Sequence, residues 1–140
     1  MFTTPTFTGR TLIALSFFCA NFTFAERWVD VGADTEAKYY LDLDSIEVKD
    51  ENLNVVKKGV YTRTMTDDFE GRGEPVVFKV TKALVEIDCA RGLNRVVKID
   101  MVDERDTIVW SSGYMDRRLW LTIKDQGHAR TTFDLACAQP

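Results

Sequence analysis

The chain has 140 residues, with 22 acidic side chains against 18 basic ones and a formal charge of −4, which argues against a nucleic-acid module of the usual basic kind. A hydrophobic share of 45% and a charged share of 29% are ordinary for one globular domain and exclude a disordered or low-complexity chain. A single histidine rules out a polyhistidine metal centre within one protomer and leaves one candidate base for a Ser-His-Asp scheme, so composition leans against an enzyme.

Residues 1–25 hold no Asp or Glu, and the lone Arg10 leads into the apolar run 11–20, TLIALSFFCA. Small Thr23 and Ala25 stand at the −3 and −1 positions of a cut before Glu26, so 1–25 reads as a cleaved secretory signal peptide. The run falls short of the roughly 18 residues that a membrane span needs, and the chain is not expected to span a membrane. Cys19 follows the bulky Phe17 and Phe18, where lipoprotein processing wants a small residue, so lipid anchoring is not expected either. The domain at 26–140 is then exported, to the periplasm or the cell surface. Cys89 and Cys137 are the cysteines left after such a cut. In an oxidising compartment an even pair without CxxC spacing is most simply a structural disulfide. Closing a loop of about 49 residues, it would contribute roughly 4 kcal/mol in the chain-entropy picture.

A period of two, the mark of strands, dominates the chain from Arg27 to Trp110. In 27–31 (RWVDV) Trp28 and Asp30 take one face and Val29 and Val31 the other. A turn at 32–36 leads into a second strand at 39–43 (YYLDL). The β-branched stretch 53–63 (LNVVKKGVYTR) predicts a longer strand, with Gly59 as a bulge or a point of close approach. Residues 65–75 (MTDDFEGRGEP) predict an exposed hairpin loop. Over 76–89, Ala83, Val85, Ile87 and Cys89 share one face, which points Cys89 to the core. Val97, Ile99 and Met101 alternate with Lys98 and Asp100 in a fifth strand, and the polar turn 103–106 leads to a sixth at 107–110. Short connections make these strands mostly antiparallel. Ala129, Phe133, Ala136 and Cys137 then recur at helical spacing, which predicts a short C-terminal helix. The expected fold class is α+β, a single mostly antiparallel sheet of about six strands with that helix packed on one face and tied by the disulfide.

Several of these residues form an ordered pattern. Trp28 and Val29 open the exported chain, and Tyr39-Tyr40-Leu41-Asp42-Leu43-Asp44-Ser45-Ile46 runs a paired-aromatic strand into Asp-x-x-Ser-Ile. Asp88-Cys89 ends a later strand with Arg95 nearby, and Trp120 precedes the terminal Cys137. In this combination and order the chain, over roughly 27–138, resembles the surface-adhesin protein E family. The resemblance implies a bent antiparallel sheet with a C-terminal helix held against it by the cysteine pair. It also implies export by a Gram-negative bacterium and binding of host extracellular proteins, from which the family takes its name.

Candidate chemistry is sparse. Asp42 and Asp44 share a strand face and would suit a cation, but a polar face with local bonding before Ser45 is the simpler expectation. Asp100, Asp103, Glu104 and Asp106 lack the glycine-containing pattern of a calcium loop and read as a turn. His128 beside Gly127 reads as exposed; as a haem ligand it would need Met65, Met101 or Met115 as the second axial contact. Ser45, Ser111 and Ser112 lie outside any nucleophile elbow. No catalytic residue, metal ligand or cofactor is assigned, and no binding residue is fixed. Trp28, Trp110 and Trp120 read as core or partner-contact residues, and Arg63, Arg72, Arg117 and Arg118 as arginines of the kind that anchor protein interfaces. Open sheet margins would also permit a homodimer. The expected function is an exported non-enzymatic binding protein that contacts extracellular or envelope proteins. The alternatives are a periplasmic carrier of a small ligand such as haem, and an envelope inhibitor or structural factor.

Overall fold

The computed structural model describes residues 26–68, 73–116 and 119–139; the expected signal peptide lies outside them, as do Arg72, Arg117 and Arg118. Within them the elements are β1 (Trp28–Ala33), β2 (Ala37–Lys49), β3 (Asn52–Asp67), β4 (Val76–Asp88), β5 (Leu93–Val102), β6 (Ile108–Ser111), β7 (Leu121–Thr122) and α1 (His128–Cys137). The sheet runs β1-β2-β3-β4-β5-β6, every pair antiparallel, and β7 shares the outer edge of β5 with β6. No helix among the described residues is long and apolar enough to cross a membrane.

Strands β2 and β3 outrun the segments that alternation predicts, because β2 passes through a bulge instead of ending. Register shifts between Asp42 and Glu47. Asp42 is buried there, and its Oδ1 accepts the backbone N–H of Arg27 and of Asp44, each at 3.0 Å. Ser45 donates its hydroxyl to the Asp42 carbonyl at 2.6 Å and accepts the Val56 N–H at 2.7 Å. The Asp-x-x-Ser segment therefore stitches the bulge to β1 and β3. A second bulge corrects the expected face of Val97. Leu84 pairs with Lys98 but Val85 with Val96, so the extra residue in β5 turns Val97 away from the face that carries Ile99.

Val31, Leu41, Val55, Val85 and Ile87 line one face of the sheet, and Ala136 of α1 closes over them. Phe133, Leu135, Cys89 and Cys137 pack around this core. Ten residues make too short a helix to persist alone, and its N-cap, Gly127, offers no side-chain bond. The helix is held instead by packing on β1, β2 and β3 and by the Cys89–Cys137 disulfide, whose Cα atoms lie 5.8 Å apart. Gly59 proves to be a close-approach point, in register with Tyr39 and Thr81; a Cβ there would meet Tyr39 Cε1 at 3.1 Å and Thr81 Oγ1 at 3.2 Å.

Candidate functional site

Three constellations stand out from the scaffold. The first lies under the start of α1. Lys57 occupies the helix-side row between Leu41 and Ala83 and is only 9% exposed. Its ammonium donates to His128 Nδ1 at 3.0 Å. Tyr39 stacks on that imidazole, with ring centroids 3.8 Å apart, and its hydroxyl donates to Asp34 at 2.8 Å. Burial pulls the Lys57 amine down to about 8. Burial also lowers His128, helped by the Lys57 charge and opposed by Asp34. His128 is thus a half-buried contact and not the exposed side chain that its polar neighbours suggest. With Nδ1 engaged and one ring face covered, it docks the helix, and Met115 lies on the opposite face of the sheet, so these two do not meet as haem ligands.

The second constellation spans the helix-free face, where cross-strand register aligns Tyr40, Lys58, Lys82 and Asp100. Lys58 Nζ lies 4.1 Å from the Trp28 ring centroid and 5.4 Å from that of Tyr40, a cation–π arrangement. Burial holds the Lys58 amine below its ordinary value, with Glu26 pulling the other way. Trp120 rests against Arg95 at 4.6 Å and Arg91 at 5.8 Å. Glu86 holds Arg95 at 2.7 Å, and Asp88 holds Arg91 at 2.6 Å. Burial pushes the Glu86 carboxyl up, but hydrogen bonds from Asn52 and Arg95 outweigh it and leave the group lowered. Two of the tryptophans are therefore tied into the sheet's own cation rows, and Met115 N–H donates to the Val97 carbonyl at 2.8 Å.

The third constellation is a groove at the far end of the sheet. Strand β4 pairs with β5 only from Val80, opposite Val102, onward to Asp88. Residues 76–79 extend past the point where the chain leaves β5 at Asp103. A groove of about 770 Å³ opens there between Val76, Val77 and Phe78 on one side and Asp103, Glu104 and Arg105 on the other, with Val109 and Glu74 also lining it. Phe78 is buried edge-on against Tyr61, with centroids 5.7 Å apart, whereas Val77 is 50% and the neighbouring Ile108 57% exposed. Asp103 shapes the turn by accepting the N–H of Thr107 at 3.0 Å and of Arg105 at 2.8 Å, which holds its carboxyl below the usual range. Asp100 instead accepts the Ser111 hydroxyl and pairs with Lys98. Among the described residues no three His, Cys, Asp or Glu side chains converge as a metal-ligand set. Arg63 lies exposed on β3, outside the groove lining. Sequence reasoning missed the groove, although two successive valines after Pro75 gave a signal, since one of them has to face outward in a strand.

A family profile, surface-adhesin protein E, matches residues 28–138. The chain belongs to the surface-adhesin protein E family. Crystal form II of Haemophilus influenzae protein E is similar at a TM-score of 0.55 and 12% identity, over 81% of this chain and 96% of that one. The selenomethionine form of H. influenzae protein E gives 0.53 and 14%, over 81% and 92%. At such identities these two show a shared fold. A search of curated proteins found no match. In this protein E-family member the elements that carry the pattern are those that build the sheet: the Asp42–Ser45 bulge, the Arg95–Trp120 contact and the disulfide.

Proposed function

We propose that the mature domain, 26–140, is an exported, non-enzymatic binding protein whose partner is another protein, in the host extracellular matrix or the bacterial envelope. Membership of the surface-adhesin protein E family over 28–138 is the observation that carries this reading. The apolar groove with half-exposed Val77 beside it fits the same role, because exposed apolar surface with a polar rim is what protein interfaces use. Protease shaving of intact producing cells beside a periplasmic control, followed by binding to a panel of immobilised extracellular-matrix proteins, tests it. Loss of the protein on shaving together with saturable binding to a panel member is the expected result. Protection equal to the control and a blank panel would refute the surface role.

A further inference from the structure

We propose that the margin of β4 at 76–79 is a strand-addition slot for an extended segment of a protein partner, one with apolar side chains at alternate positions flanked by Lys or Arg. The inference rests on the protein-binding reading above and specifies its mode.

In an antiparallel pair alternate residues direct their N–H and C=O groups away from the partner strand. Val76, Val77 and Phe78 pair on one side with Asp67, Thr66 and Met65 of β3. On the other side β5 ends at Val102, opposite Val80, so this margin of β4 has no strand beside it among the described residues. The slot runs from Pro75, whose ring offers no N–H, to Val80, where pairing with β5 begins. Four residues span about 13 Å, enough for a short extended peptide to complete the ladder. An open edge of this kind is usually masked, and here, among the described residues, it adjoins a groove of about 770 Å³ instead of a covering element.

The side chains select the occupant. Val77 and Val109, at 50% and 39% exposure, put two large apolar groups on the lining of the slot. On the rim Asp103 is shared with Arg105 at 3.8 Å, while Glu74 and Glu104 have no cationic partner among the described residues. A second copy of this chain would bring the same two carboxylates against themselves. A basic segment would neutralise them, and charge complementarity therefore favours it over self-pairing.

The test uses the purified protein and a fluorescein-labelled peptide of about seven residues that alternates valine and lysine. Fluorescence anisotropy should show saturable binding that weakens with added salt. Methylating alternate backbone nitrogens, replacing the lysines by glutamate, or introducing Glu74→Lys with Glu104→Lys should each lower the affinity by roughly tenfold or more. Lys49→Glu, remote from the slot, serves as the charge-change control and should bind as the parent does. Melting curves establish that each variant is folded, and Val77→Lys, on an exposed side chain, gives a second probe of the same surface. No saturable binding of the lysine peptide, or equal affinity for the methylated peptide, overturns the slot. A dimer in sedimentation that Val77→Lys breaks overturns it in favour of a second copy. If a matrix protein binds and Glu104→Lys leaves that binding unchanged, the slot fails and the general reading survives. If the panel is blank but the lysine peptide binds, the slot survives and the host-partner reading fails.

Discussion

Lys57 places a cation on the core side of the sheet because Leu53, Val55, Lys57 and Gly59 alternate onto one face of β3. Its main compensation is neutral His128, and both groups give up their protons more readily in the folded chain than in the unfolded one. For His128 the unfolded chain holds the extra proton from the ordinary 6.5 down to the lowered folded value, so stability is present above that window and is lost as pH falls through it. Protonation would also set two cations 3.0 Å apart at the start of a helix, where the dipole disfavours positive charge. For Lys57 the window lies between about 8 and 10.5, and stability rises with pH across it. Tyr39, whose phenol burial and the Asp34 bond push up, acts in the opposite sense only above its ordinary 10.0. Urea midpoints should therefore climb as pH rises towards 6.5 and again from 8 towards 10. His128→Ala should flatten the first limb and Lys57→Met the second; a wild-type midpoint that is level from 8 to 10 would show that Lys57 holds its proton as firmly in the folded chain as in the unfolded one.

Gly59 gives a second test at this scale. Alanine at a compatible strand site gains about 0.4–1 kcal/mol, chiefly by restricting the unfolded chain. Here the added methyl would press on Tyr39 and Thr81 at 3.1 and 3.2 Å, and overpacking costs about 1–3 kcal/mol. Gly59→Ala should thus be net destabilising by roughly 1–2 kcal/mol in denaturant titrations, and an increase in stability would show that Tyr39 yields freely. Much at the residue scale was legible in the sequence: Cys89 inward, Val29 and Val31 on a shared face, Gly59 as one of two alternatives, a bulge or a close approach. The burial of Asp42, Lys57 and Thr132 was not, since their polarity points outward until their partners, brought in from other elements, are known.

Among the elements, α1 depends most on its tether. It has no side-chain cap and no acidic residue in its first turn. Cys89→Ser and Cys137→Ser should each destabilise the fold by roughly 2–5 kcal/mol, and the double variant should cost little more than either single one, because both remove one bond. Equal melting temperatures for the oxidised and reduced protein would sink this. Helical spacing revealed α1, and alternation revealed strands β1 to β6, but two-residue β7 is too short to show a period. Bulges at Asp42 and Val97 escaped for a related reason. Each changes the phase of an alternation without changing its residue types, so only the partner strand discloses it.

For the whole molecule the architecture is lopsided: one sheet, with its helix packed on β1, β2 and β3, and with β6 and β7 at the margin. A partner of the proposed kind would leave little trace in the sequence, because a strand edge recognises largely through backbone groups. The same asymmetry sets an order of local stability. Val55 lies in the core and pairs with Val85 of β4, while its neighbours Val56 and Asn54 pair with Asp42 and Glu47 of β2. Ile108 and Leu121, by contrast, are more than half exposed on strands that pair along one side only. Opening free energies range from near zero at such margins to the global value in the core. Amide exchange should accordingly be slowest through the middle of β3 and the facing stretches of β2 and β4, and faster in β6 and β7. Reducing the disulfide should speed exchange in α1 first, since its remaining anchors are packing and the titratable Lys57–His128 contact. Uniform protection across β3 and β6, or an α1 indifferent to reduction, would mean that the sheet's margins are held by something other than the contacts described.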